Sequence, residues 1–124
     1  MRAPLVIASV VAALGAGAAG CGSSSDGDGG SARTLSFKLT DAGCEPAKAT
    51  APAGEIEFEV TNDGAGSVTE FEVLEGDEVL GEKEDLTEGL SGSFSLTLAP
   101  GSYTLYCPNG TESERGTLKV TEHA

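Results

Sequence analysis

The feature that most constrains this chain is a hydropathy period of two. Leu35-Phe37-Leu39, Ile56-Phe58-Val60 and Phe94-Leu96-Leu98 place apolar residues at every second position; Tyr103-Leu105-Cys107 and Leu118-Val120 continue the pattern, and Phe71-Val73 does so less cleanly because Leu74 follows at once. Successive side chains of a strand point to opposite faces, so each run has one face for a core and one for water. Turn residues divide the runs about every ten positions, at Pro52-Ala53-Gly54, Asn62 to Gly66, Gly76-Asp77, Gly89 to Gly92 and Pro100-Gly101. No window of about twelve residues sustains a helical apolar stripe, and Glu82 to Leu90 is expected to be a loop or a single turn. The pattern predicts an all-β sandwich or barrel of about seven to eight short strands.

The amino end does not share this pattern. Leu5 to Ala19 is uncharged and apolar; it is shorter than the roughly 20 residues of a membrane span and suits the core of a secretory signal. Ala18-Ala19-Gly20-Cys21 resembles a bacterial lipobox. The expected organisation is a signal peptide over 1–20, a lipidated Cys21 heading a Gly/Ser/Asp linker over 21–33, and one domain over 34–124. The expected location is extracytoplasmic, lipid-anchored to the bacterial cell membrane. Ordinary secretion, with Cys21 a leftover thiol, is the alternative.

Twenty acidic against seven basic residues leave a net charge of −13. That charge excludes nucleic acid as a partner, keeps the domain off anionic lipid headgroups and favours cations. Many of the acids need no special role: Glu55, Glu57 and Glu59 alternate with Ile56 and Phe58, as on the wet face of a strand. Nothing indicates an enzyme, because Ser91, Ser93 and Ser95 have no histidine to activate them and His123 stands almost at the end of the chain.

Pro100-Gly101-Ser102-Tyr103-Thr104-Leu105-Tyr106-Cys107 resembles the strand that delivers the cysteine ligand in cupredoxins, and Gly116 to Val120 resembles their closing strand. Cys44-Glu45-Pro46, Ala53-Gly54 and Phe58 to Asn62 are similar to the second strand and its asparagine turn. The resemblance implies a cupredoxin-like Greek-key β-sandwich. A blue-copper site needs two histidines, a cysteine and usually an axial methionine. The resemblance puts Glu70 near the first histidine's place, Gly110 at the second's and Arg115 near the methionine's, so no blue site is expected.

Within that fold the order Cys44-Glu45-Pro46, Glu70-Phe71-Glu72, Glu82-Lys83-Glu84 and Pro100-Gly101-Ser102-Tyr103 leading to Cys107 is similar to the cupredoxin-like domain of the EfeO iron-uptake proteins, over about residues 35 to 121. The resemblance implies a module that captures iron, or copper, through Glu70, Glu72, Glu82 and Glu84, with or without Cys44 and Cys107. Its implied partners are an iron-uptake permease or a helical iron-binding protein. EfeO proteins usually continue into a helical M75 peptidase-like domain; this sequence stops at Ala124, so a stand-alone unit is expected.

The residues support that reading in part. Glu70 and Glu72 share one strand face, and Glu82 and Glu84 would do so if their segment is extended. Two such pairs meeting would make a hard anionic pocket suited to iron, manganese or calcium, and a thiolate nearby would shift the preference towards copper or zinc. The bland alternative is a solvated acidic face, with Lys83 neutralising a neighbour. Cys44 and Cys107 remain either a disulfide, as two cysteines of a small exported domain commonly are, or metal ligands. The competing function is a metal-free, disulfide-stapled protein-interaction domain of the cell envelope.

Overall fold

A computed structural model describes residues 33–122. The expected signal peptide, Cys21, nearly all of the expected linker and His123 lie outside these residues. Nine strands form among the described residues: β1 (Arg33–Thr40), β2 (Gly43–Glu45), β3 (Lys48–Pro52), β4 (Gly54–Asn62), β5 (Phe71–Glu75), β6 (Glu78–Lys83), β7 (Ser91–Leu98), β8 (Gly101–Tyr106) and β9 (Arg115–Thr121). The count exceeds the expected seven to eight because β2 is only three residues long, β3 turns only alanines inward and β6 lacks clean alternation. β1 begins at Arg33, the last residue assigned to the linker.

The strands make two sheets, β2-β1-β4-β7 and β3-β9-β8-β5-β6. β1 runs parallel to β4 and β3 parallel to β9, while the other pairs are antiparallel. The inward set closes the space between the sheets: Phe37, Leu39, Ile56, Phe58 and Val60 from one, Phe71, Val73, Leu105, Leu118 and Val120 from the other. Four phenylalanines form its centre, with Phe37 and Phe71 centroids 4.8 Å apart and Phe58 and Phe94 5.1 Å apart. Aromatic contacts at these separations add to the burial of large apolar side chains.

Register defines two poles. β1 and β4 start together at one, with Arg33 opposite Ile56, and end together at the other, with Leu39 opposite Asn62. Tyr106 and Arg115 lie at that second pole, where Cys44 and Cys107 form a disulfide with Cα atoms 5.6 Å apart. The Asp41–Gly43 turn and the loops over 63–70, 84–90 and 107–114 meet there. Asp41 carbonyl accepts from the Thr111 N–H at 3.1 Å, Asp41 Oδ1 from the Gly66 N–H at 3.2 Å, and Ser67 carbonyl from Asn109 Nδ2 at 3.2 Å.

Candidate metal centre

Glu70, Glu72 and Glu82 meet at this pole. One carboxylate oxygen from each lies within 4.8 Å of the others. Glu70 leads into β5, Glu72 sits on β5 facing away from Phe71 and Val73, and Glu82 stands directly opposite Glu72 on β6. The elements bring together three of the four carboxylates read from the sequence. Glu84 lies just past the end of β6, outside that triad, yet close enough for its charge to act on Glu72.

A β-bulge makes the cluster. Glu75 pairs with Glu78 and Leu74 with Val79; beyond the irregularity at Val73/Leu74 the register advances by one residue, so Val73 pairs with Gly81, Glu72 with Glu82 and Phe71 with Lys83. Had the first register continued, Glu72 would stand opposite Gly81, and Glu70 opposite Lys83. A one-residue slip moves side chains to the other face. The bulge therefore gathers the acids and turns Lys83 away, and the stem of Lys83 runs past Gly92 of β7, its Cε 3.0 Å from where a Cβ on that glycine would stand. The expected neutralisation of a neighbour by Lys83 is not how this side chain is placed.

Glu72 is the unusual member. It is only 9% exposed, and its cross-strand neighbours are Glu82 on one side and Tyr106 on the other. Like charges directly opposite on a sheet repel. Burial first, then a hydrogen bond with the Glu70 carboxyl and the charges of Glu70, Glu82 and Glu84, push its pKa from the ordinary 4.5 up to about 7. Glu84, at the solvent edge, is also raised, chiefly by the charges of Glu82 and Glu70. The cation in this row of the sheet is used elsewhere, since the Arg115 guanidinium stacks on the Tyr106 ring, 4.2 Å from its centroid.

Cys44 and Cys107 do not join this group as thiolates. Their sulfurs are bonded to each other, which corrects their expectation as metal ligands and meets the disulfide alternative. A histidine in place of Gly110 is also excluded by packing, because a Cβ there would come within 2.6 Å of the Ala42 carbonyl oxygen and 2.7 Å of Gly43 Cα. The loop lies flat on the Asp41–Gly43 turn, with the Gly110 N–H donating to the Cys107 carbonyl at 3.2 Å.

Two features of the site were missed in the sequence. The position of Tyr106 beside Glu72 could have been found, because Leu105 and Cys107 alternate inward and leave Tyr106 facing out next to the acids. Asn62, read as a turn residue, is 1% exposed and ties together the two loops beside the cluster. Single-sequence patterns carry no signal for that role.

The fold agrees with what is found among known proteins. Residues 6–120 match the family described as "Cupredoxin-like domain", and the chain belongs to that family. In curated sequences it is 34% identical over 87 residues to the "Iron uptake system component EfeO" of Yersinia pestis, and 35% identical over 69 residues to that of Escherichia coli strain K12. These alignments cover 70% and 56% of this chain but 23% and 18% of the relatives, so the chain spans about a quarter or less of their length. Among solved structures, auracyanin A, a "blue" copper protein of Chloroflexus aurantiacus, superposes with a TM-score of 0.65 at 14% identity, covering 73% of this chain and all of that one. At that identity the likeness concerns the fold alone.

Proposed function

We propose that this domain is a non-enzymatic, extracytoplasmic metal-binding module that captures iron for an EfeO-type uptake system, with no blue-copper site. Iron is its cargo, taken between Glu70, Glu72 and Glu82 with Glu84 at the rim, then passed to a permease or a helical iron-binding protein. A lipid on Cys21 would hold the module at the membrane. The observation that carries the reading is the carboxyl of Glu72, nine-tenths buried between two other carboxyls with no lysine or arginine among the causes that set its pKa. A hard cation would neutralise that arrangement, and oxygen-only donors suit iron better than copper once Cys44 and Cys107 are bonded to each other. Resemblance to proteins named as iron-uptake components supports the choice of cargo.

Calorimetric titration with ferric and ferrous iron, and with copper(II), tests this. The wild-type protein is expected to bind iron at one site, and the quadruple variant Glu70→Gln, Glu72→Gln, Glu82→Gln, Glu84→Gln is expected to lose it. Wild-type binding no tighter than the variant's ends the proposal. The disulfide favours a second reading, a stapled interaction domain that needs no metal. That reading predicts a protein indifferent to chelators and to all four substitutions.

A further inference from the structure

Asn62 ends β4 and is buried. Its side-chain amide donates to the carbonyls of Ala65 at 3.0 Å, Val68 at 3.1 Å and Leu86 at 2.7 Å, so two N–H groups serve three acceptors and one is shared. Its Oδ1 accepts from the Ala65 N–H at 2.7 Å. Ala65 and Val68 belong to the loop that delivers Glu70 to β5. Leu86 comes two residues after Glu84, and its own N–H donates to the Thr69 carbonyl at 2.9 Å. The main chain adds to the tie, since the Asn62 N–H donates to Leu90 and the Asn62 carbonyl accepts from the Gly89 N–H. One buried amide thus joins the arm carrying Glu70 and Glu72 to the arm carrying Glu82 and Glu84.

We propose that Asn62 is the positioning residue of the carboxylate cluster, setting the separation of its two arms through Ala65, Val68 and Leu86 without touching the ion. The inference rests on the proposed iron site. A hydrogen bond joins Glu72 to Glu70, but ionised carboxylates this close repel one another, and Glu82 stays within 4.8 Å of the pair because the backbone beneath it is held. The β5–β6 register holds Glu72 against Glu82; Asn62 holds the loop before β5 against the loop after β6. Outer groups of this kind orient ligands, and losing one typically costs about 10- to 100-fold in metal affinity. Linkage adds a converse: if the tie favours metal, bound metal strengthens the tie.

Three proteins are compared by ferric-iron titration as full chains, at a temperature where circular dichroism shows each one folded: wild type, Asn62→Ser, and Val120→Ala, a destabilised control in the core at the opposite pole. Asn62→Ser is expected to bind about tenfold or more weakly with unchanged stoichiometry, and Val120→Ala to bind as wild type does. Wild-type affinity in Asn62→Ser, or an equal loss in Val120→Ala, overturns the positioning role and leaves the carboxylate site standing. Failure of the wild type to bind better than the quadruple Gln variant removes the site itself. Should Asn62→Ser not fold, the wild type decides: gallium(III), a diamagnetic stand-in for ferric ion, is expected to slow hydrogen exchange at the Asn62 side-chain amide and at the Ala65 and Leu86 N–H groups. Unchanged exchange at all three in gallium-saturated protein overturns the proposal.

Discussion

Two acidic regions of this domain look alike in the sequence and differ in the fold. Glu55, Glu57 and Glu59 line the outer face of β4, with Thr97, Ser95 and Ser93 opposite on β7 and hydroxyls of Thr34 and Ser36 donating to Glu57 and Glu59. Neighbours along that strand are spaced by two residues, about 7 Å, and water reaches them. Glu70, Glu72 and Glu82 come instead from two strands and a loop, and converge within 4.8 Å with one member buried. The first arrangement spreads charge where solvent screens it; the second concentrates charge around Glu72, which solvent barely reaches. An alternating glutamate row is the wet side of a sheet until a register shift folds a second row onto it.

The largest test of this contrast removes the covalent tie at the cluster's pole. A Cys44→Ser, Cys107→Ser protein frees a link across 63 residues and is expected to lose about 4 kcal/mol of stability in the entropic account of cross-linking, measured by urea unfolding. Hydrogen exchange should rise first in the 63–70 and 107–114 loops, while the middle of β4, paired on both sides, stays protected. Equal loosening along β4 would break the distinction between the two regions.

Next comes pH. The folded protein keeps the Glu72 proton that the unfolded chain releases near pH 4.5, so this group's contribution is fully present below that pH and is lost as pH rises through about 7. The loss is on the order of 3 kcal/mol in metal-free protein. Glu72→Gln should abolish that slope and leave the protein more stable than wild type at pH 8. Glu57→Gln, on the open face, should keep the slope and change stability by no more than about 0.5 kcal/mol. A wild-type curve flat from pH 4.5 to 7.5 contradicts the burial of Glu72.

These tests also mark what the sequence could convey. Strands β1, β4, β7, β8 and β9 were legible because large apolar residues occupy two or three successive inward positions in each. β3 was not, since its inward positions are Ala49 and Ala51, too small to stand out. β6 was hidden by Gly81, whose missing side chain lets Phe94 and Leu96 of β7 approach; a Cβ there would lie 2.8 Å from the Phe94 ring. Glu70 and Glu72 could be paired from spacing alone, because they share one strand. The meeting with Glu82 could not be read, because it depends on the bulge between Val73 and Leu74, a matter of hydrogen-bond register. The same bulge explains why Lys83, expected as a neutralising neighbour, turns inward.

The smallest expected effect follows from that turn. Lys83→Gln should alter iron affinity less than about threefold, since its stem lies along Gly92 on the face opposite the acids. A tenfold tightening on removing this positive charge would show that the ammonium reaches round to the cluster, and would narrow the difference between the two acidic regions.

The Gly110 contact has a consequence for how such domains diverge. With the Ala42 carbonyl and Gly43 Cα against the empty side of this glycine, a histidine cannot be introduced at position 110 unless the whole 107–114 loop is lifted from the turn beneath it. A cysteine tied to Cys44 would have to be released as well. No single codon change leads from this chain to a blue-copper protein; the route needs a new loop, and the backbone, more than the missing ligands, sets that barrier.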